Sequence, residues 1–189
     1  MSGDAAAPSA PVLRPARDGD IPQIVDLVQR AYRGEGGWTT EAHLVDGARA
    51  EAAEVRDMLA CPAVHLLVAE ADGMLQGCAY TRIDPADTTG VVRAELGLFA
   101  VDPALQGLGL GSRLLEAQVE QLLGRGVAVL MIQVLQSRPE LQAWYTRHGF
   151  VSTGQAVPFA GDPALLKVAG LGMDVMERPL ALSPGVQPG

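Results

Sequence analysis

Apolar residues change their spacing along the chain, and each change predicts a different element. Over residues 21–32 they recur every three or four positions, which predicts an amphipathic helix that ends at Gly34. Short apolar or alternating stretches then predict three strands, and Asp72-Gly73 is a strong signal for a tight hairpin between the first two. The three strands occupy residues 64–70, 74–83 and 93–101.

Helical spacing returns over residues 110–124, and the nearly continuous apolar run 127–135 is typical of a strand buried on both faces. The other predicted elements are a second helix over 41–59, broken near Gly47, a helix from 137 to about 148, and strands at 12–15, 150–157 and 171–178. The order is therefore β-α-α-β-β-β-α-β-α-β-β. An antiparallel meander that leads into a β-α-β crossover predicts the α/β class, with a mixed sheet and helices on its faces.

Two helix starts carry the signature of a capping box. Asp20 precedes the first helix with Gln23 three residues on, and Ser137 precedes the last helix with Glu140 three residues on. In a capping box each side chain bonds the backbone N–H of the other residue, so we expect these four side chains to close the helix ends.

Length and composition indicate one domain. The chain has 189 residues, of which 48% are hydrophobic, and this excludes a wholly disordered protein. We expect a single domain over residues 11–180. Small residues and prolines at 1–10 and 181–189 predict a disordered N-terminal tail and a flexible C-terminal tail.

Charge and special residues exclude several function classes. The net charge is −8, which argues against a nucleic-acid partner because phosphate contacts need basic stripes. No apolar run approaches the ~20 residues that span a bilayer, and the first residues lack the basic patch and apolar core of a signal peptide. We therefore expect a cytoplasmic protein with no signal peptide and no membrane partner. Two cysteines give no disulfide framework, and the three scattered histidines predict no metal site.

A glycine-rich stretch opens the helix at residue 110. In Gln106-Gly107-Leu108-Gly109-Leu110-Gly111 the missing side chains leave backbone N–H groups open, and a helix N-terminus attracts anions such as phosphate. A P-loop would need a lysine, which is absent, and a dinucleotide fingerprint would need GxGxxG followed by an acidic residue. A plain tight turn before a helix is the remaining alternative.

The stretch Gln106-x-x-Gly109-x-Gly111 resembles the acetyl-CoA pyrophosphate signature of the GNAT superfamily of N-acetyltransferases. A second match follows about 40 residues later, where Tyr145-x-x-x-Gly149-Phe150 resembles that family's Y-x-x-x-G-F. The resemblance implies the GNAT-like acyl-CoA N-acyltransferase fold. It also implies an enzyme that moves an acetyl group from acetyl-CoA to a primary amine of a small molecule or a peptide, by direct attack in a ternary complex.

The same resemblance implies roles for individual residues. Glu95 corresponds to a catalytic base and substrate contact, Tyr145 to a general acid, and the backbone N–H near Phe99 to an oxyanion donor. Strand alternation places 95, 97, 99 and 101 on one face, opposite a core-facing set at 94, 96, 98 and 100. The co-substrate acetyl-CoA would be held by Phe99, Ala100, Val101, Gln106, Gly107, Leu108, Gly109, Leu110, Gly111, Ser112 and Arg138.

Alternatives stay open at several of these positions. Glu95 can be a solvated strand carboxylate, and Tyr145 a packing residue with Trp144 in the core. Arg138 stands where many family members carry an asparagine; it can contact a CoA phosphate, contact a substrate carboxylate, or simply start a helix. Trp38 can line the acceptor site or fill the core.

The function also has alternatives. A CoA-binding regulatory or interaction module without catalysis, or a transferase that uses a longer acyl-CoA, would keep the same motifs. Six acidic residues between 35 and 57 hint at a cationic acceptor, although a solvated helix face explains them equally well. The acceptor amine is not specified by the sequence, and a homodimer is possible.

Overall fold

The computed structural model describes residues 10–34, 40–159 and 162–180. The tails predicted at 1–10 and 181–189 lie outside this range apart from residue 10, and so does Trp38. None of the helices within the described residues is long and apolar enough to cross a membrane.

Seven strands form one mixed sheet in the order β1-β2-β3-β4-β5-β7-β6, and the element order predicted from the sequence is confirmed. Among the described strands only β4 and β5 pair in parallel, which is the β-α-β crossover. The strands are β1 (Val12–Pro15), β2 (Val64–Ala71), β3 (Met74–Ile83), β4 (Arg93–Val101), β5 (Val129–Leu135), β6 (Val151–Pro158) and β7 (Gly172–Pro179). The helices are α1 (Ile21–Arg33), α2 (Ala52–Ala60), α3 (Leu110–Gly124) and α4 (Pro139–Arg147).

Helices cover both faces of the sheet. On one face α1 and α2 bury an apolar stripe that includes Ile24, Leu27 and Val55. On the other face α3 buries Leu115 and Leu122 against β3, β4 and β5. The predicted hairpin is confirmed, since Asp72 and Gly73 both have positive φ (51° and 75°), the conformation that a type I′ turn requires.

The first predicted capping box is wrong. Asp20 does occupy the N-cap of α1, but its carboxylate pairs with Arg14 (2.7 Å) and accepts from the backbone N–H of Arg17 (2.8 Å). The side-chain oxygen of Gln23 instead accepts from the backbone N–H of Leu75 in β3 (2.9 Å). Both side chains therefore fix the helix to the sheet rather than close its end.

The helix predicted over 41–59 is wrong in its first half, because regular structure begins only at Ala52. Residues 40–51 instead pack against residues 162–171, and we call these two segments the loop wall. Val45 and Leu166 form an isolated antiparallel bridge, and Leu44 and Leu171 bury an apolar cluster there with the end of β5. These contacts across more than 100 residues outweigh the local helical tendency of the segment.

Candidate active site

A bulge in β4 sets the geometry of the site. Its pairing with β3 changes register between Cys78 and Tyr80, and Leu98 has φ +46°, a left-handed conformation that is costly for leucine. Two contacts compensate for the cost of this backbone conformation: Leu98 is buried against α1, and its carbonyl accepts from the Cys78 thiol at 3.4 Å. Burial raises the pKa of that thiol to about 12, so Cys78 stays neutral.

The bulge overturns the predicted alternation along β4. Ala94 and Leu96 pack on the α3 side, but Leu98 and Ala100 pack on the α1 side. Positions 95 and 97 therefore face α1 and α2, whereas 99 and 101 face α3. The prediction failed because strict alternation holds only in an unbroken ladder, and one extra residue reverses the faces.

The same strand separates from β5 just before the bulge. Pairing between them covers only residues 93–95 of β4, so the rest of that β4 edge makes no ladder to β5. Two cavities meet in the resulting gap.

The first, which we call the glycine-loop cavity, has a volume of about 290 Å³. The predicted residues that line it are Phe99, Val101, Gln106, Gly107, Gly109, Gly111 and Ser112. Gly107 and Gly109 have φ of +83° and +85°, and a side chain on either would meet no atom within 4 Å, so the backbone there is open to a ligand. Four other predicted residues do not line the cavity: Ala100 packs against α1, Leu110 is core, Leu108 is 74% exposed, and Arg138 is buried at the N-cap of α4.

The cavity suits a ligand with an anionic and an apolar part. Gly109 is the N-cap of the 15-residue helix α3, whose first N–H groups and dipole favour a phosphate. Phe99 and Trp144 supply an apolar side, with ring centroids 5.7 Å apart. Trp144, which the sequence suggested as a core residue, is half-buried: it packs against the core from the edge, lines this cavity and stacks on His148 (3.9 Å).

Ser112 has a defined orientation at this helix start. Its hydroxyl lies 2.8 Å from Nε2 of His148, and Nδ1 of that ring lies 2.8 Å from the carbonyl of Trp144. Since a carbonyl only accepts, Nδ1 carries the proton and Nε2 accepts from Ser112 in the neutral ring. The serine is therefore held at the edge of the cavity by α4.

The second cavity, which we call the acidic cavity, has a volume of about 440 Å³. It lies between α1, the β4–β5 gap and the loop wall. The charged side chains that line it among the described residues are Glu41, Asp46, Glu54, Glu95, Asp162, Arg33 and Arg49. The predicted base Glu95 is among them and pairs with Arg82 at 2.5 Å.

Four residues line both cavities and so mark their junction: Tyr32, Phe99, Leu141 and Tyr145. The Tyr32 hydroxyl donates to the carbonyl of Phe99 at 2.7 Å, which fixes the backbone next to the bulge. Tyr145 is 7% exposed, and burial raises the pKa of its phenol well above the ordinary value. No hydrogen bond joins that hydroxyl to any residue that the structure describes.

Arg138 contacts neither cavity. It is 4% exposed, donates to the Thr40 carbonyl at 2.6 Å and pairs with Glu140. The second predicted capping box is therefore wrong too, because Arg138 rather than Ser137 is the N-cap of α4 and Glu140 is engaged by it. The arginine connects the loop wall to α4. The structure therefore does not place Arg138 where it would contact a CoA phosphate or a substrate carboxylate, as the sequence had suggested.

Sequence reasoning missed Tyr32, Leu141 and Arg49. Tyr32 continues the apolar stripe of α1, and Leu141 lies in a helix with a mixed pattern, so both resemble core residues. Arg49 lies in a segment that was predicted to be helical. Among the described residues, no group of three His, Cys, Asp or Glu side chains could hold a metal ion.

Known proteins resemble most of this chain in sequence and in fold. The sequence model of the acetyltransferase (GNAT) family matches residues 22–150. An IAA acetyltransferase of Azospirillum brasilense is 29% identical over 160 residues, which cover 85% of this chain and 90% of that protein. A mycothiol acetyltransferase of Paenarthrobacter aurescens (strain TC1) is 29% identical over 151 residues, 78% of this chain but only 45% of that protein.

A solved structure shows the shared fold. The putative acetyltransferase yncA from Salmonella typhimurium, determined with its cofactor acetyl-CoA, superposes with a TM-score of 0.67. It is 18% identical, and the match covers 96% of this chain and 99% of that chain.

Proposed function

Since the chain belongs to the acetyltransferase (GNAT) family, we propose that it transfers an acetyl group from acetyl-CoA to a primary amine by direct attack in a ternary complex. The observation that carries this proposal is the meeting of two cavities at Tyr32, Phe99, Leu141 and Tyr145. One cavity has the features of an anion site, and the other has acidic side chains that suit an amine. Two substrates bound in them would meet at the junction without a covalent enzyme intermediate.

The glycine-loop cavity would hold acetyl-CoA, which supplies the acetyl thioester. Backbone N–H groups from Gln106 to Ser112 would bind its pyrophosphate at the start of α3. The β4 edge beyond Glu95, which has no ladder partner on β5, would pair with the pantetheine arm. Trp144 and Val101 would cover the apolar part of that arm.

The acidic cavity would hold and deprotonate the amine. Most primary amines are protonated at neutral pH, so a base must take a proton before nitrogen can attack. Glu95 is the carboxylate that lies on β4 itself, four residues before Phe99, and Arg82 holds its side chain in place. Glu95 would accept the proton directly or through a water molecule.

Two groups at the junction would stabilise the developing charges. The backbone N–H near Phe99 would donate to the thioester oxygen, where such donors contribute about 2.7–4 kcal/mol in other oxyanion holes. Tyr32 supports it by fixing the adjacent carbonyl. The Tyr145 hydroxyl, which burial keeps protonated, would donate its proton to the departing thiolate.

The test is a CoA-release assay with purified protein, acetyl-CoA and a panel of small amines and peptides. We expect release of CoA with at least one acceptor and acetyl-CoA binding by calorimetry. Tight acetyl-CoA binding without turnover on any amine would favour the non-catalytic CoA-binding module instead. Turnover with propionyl-CoA but not with acetyl-CoA would change the donor and leave the site assignment standing.

A further inference from the structure

Arg49 differs from the other arginine that lines the acidic cavity. Arg33 pairs with Glu41 (3.3 Å) and donates to the Gly47 carbonyl (3.0 Å), so its charge is compensated by the fold. The Arg49 guanidinium has no carboxylate within ion-pair distance among the described residues. Its side-chain contact is the ring of Tyr32, with 5.0 Å between the guanidinium carbon and the ring centroid.

This contact places the cation beside the reaction centre. Tyr32 lines both cavities, and its hydroxyl binds the Phe99 carbonyl at their junction. A guanidinium stacked on that ring keeps its N–H edge available, because a cation–π contact uses only the face of the group. The half-buried Arg49 is thus a fixed cation on the wall of the cavity, and its side-chain N–H groups have no acceptor among the described residues.

Two carboxylates of the same cavity also lack an opposite charge among the described residues. Three of the lining acids have a cationic partner: Glu41 pairs with Arg33, Asp46 with Lys167 (3.0 Å) and Glu95 with Arg82. Glu54, on α2, and Asp162 have none among the described residues. Within that part of the chain, the cavity therefore presents one cation and two carboxylates that no opposite charge compensates.

We propose that the acceptor is an amine that also carries a carboxylate, an amino acid in the broad sense, with Arg49 binding the carboxylate. This inference rests on the proposed function and names the substrate class of the same site. A guanidinium binds a carboxylate through two parallel hydrogen bonds, and the acidic side chains hold the ammonium end. The volume of about 440 Å³ lies within the usual range for small-ligand sites.

The experiment compares free amino acids with their amides. The probes are α-, β- and γ-amino acids, each paired with the amide of the same compound, and the readout is kcat/KM for CoA release. The amides are the weaker bases and contain more free amine at neutral pH, so an enzyme that ignores the carboxylate should prefer them. We expect the wild-type protein to prefer the acids.

Three variants assign that preference to a residue. Arg49→Gln should lower kcat/KM for the acids about 10- to 100-fold more than for the amides, the usual range for a charged hydrogen bond. Arg49→Lys should keep part of the preference, because the charge remains while the two-pronged geometry is lost. Arg56→Gln is the matched control, since Arg56 is an exposed residue of α2 that does not line the cavity.

The outcomes separate this inference from the proposed function. If amines turn over but acids and amides respond alike to Arg49→Gln, the inference is wrong and the transferase function stands. If no amine turns over, calorimetry with the same amino acids in the presence of CoA decides. Binding that Arg49→Gln removes would support carboxylate recognition, and no binding to the wild-type protein would overturn it. Unchanged acetyl-CoA affinity checks that each variant is folded.

Discussion

The two cavities are built in different ways from one chain. The glycine-loop cavity takes most of its lining from two short stretches, residues 99–112 and 141–145, and presents mainly backbone and apolar surface. The acidic cavity draws its lining from α1, α2, α4, four strands and both segments of the loop wall, and presents charged side chains. The glycine-loop cavity is thus determined by a local stretch of glycines and the start of a helix. The acidic cavity forms only when segments far apart in the chain pack together.

This difference predicts different responses to mutation. A site made of backbone fails when a side chain or charge enters the space that the ligand needs, and its neighbours can do little to compensate. A site made of side chains should lose single interactions gradually, in a way that depends on substrate and pH.

The largest effect is expected at the backbone site. Gly109→Asp places a carboxylate at the start of α3, where the phosphate must approach, and should abolish measurable acetyl-CoA binding by calorimetry. Gly90→Asp is the matched control, because Gly90 has a similar φ (+81°) and equally open surroundings but lies in the β3–β4 connection. Unchanged acetyl-CoA affinity in folded Gly109→Asp would remove the glycine-loop cavity as the donor site.

The next largest effect is expected at the junction of the two cavities. Tyr145→Phe removes only a hydroxyl, so packing survives, and kcat should fall about 10²- to 10⁴-fold with little change in acetyl-CoA affinity. Because burial raises the pKa of Tyr145 well above its ordinary value, the wild-type hydroxyl stays protonated and the deficit should not close as pH approaches 10. Tyr80→Phe, which removes a hydroxyl from the acidic cavity alone, should lower kcat much less. Near-wild-type kcat in Tyr145→Phe would refute the general-acid role.

A smaller and pH-dependent effect is expected at the acidic cavity. Glu95→Gln should lower kcat most at acidic pH, by about 10²-fold, because the amine is then protonated and lacks its base. The deficit should shrink as pH rises and free amine becomes abundant. Glu54→Gln removes a negative charge from the same cavity without a base role, so its effect on kcat should be flat with pH. A flat profile for Glu95→Gln as well would mean that Glu95 only positions the substrate.

The smallest effect concerns the edge of the glycine-loop cavity. Ser112→Ala removes one neutral hydroxyl held by His148, and acetyl-CoA affinity should fall about 2- to 10-fold, as for a single neutral hydrogen bond. Titration calorimetry would measure this, with Ser152→Ala on the exposed strand β6 as the control. A loss as large as that of Gly109→Asp would show that a side chain, not the backbone, dominates phosphate binding.

The sequence predicted the locally encoded features well. Three predicted features depend on residues close in sequence, and all three are confirmed: the element order, the Asp72-Gly73 turn and the glycine stretch before α3. Both capping boxes failed because other partners engage their side chains: Arg14 binds Asp20, the Leu75 N–H donates to Gln23, and Arg138 binds Glu140. A capping signature indicates which hydrogen bond a side chain can make, but not which partner it binds in the folded protein.

The bulge and the acidic cavity could not be predicted from the spacing of apolar residues along the chain. Leu98 adopts a positive φ that its residue type disfavours, and only burial against α1 and the bond from Cys78 hold it there. Arg49 stands within a segment whose helical pattern is overridden by the bridge between Val45 and Leu166. Both features depend on contacts between residues far apart in the chain, which a local pattern does not contain.

The Val45–Leu166 bridge has a consequence for how this fold can change. The loop wall is held together largely by its own contacts, since Lys167 also donates from its backbone to Leu44 and from its side chain to Ala42. The two segments therefore form a unit of their own, which contacts such as that from Arg138 to the Thr40 carbonyl attach to the rest of the fold. Replacing both segments together should alter what the acidic cavity admits while the glycine-loop cavity, which neither segment lines, keeps its shape.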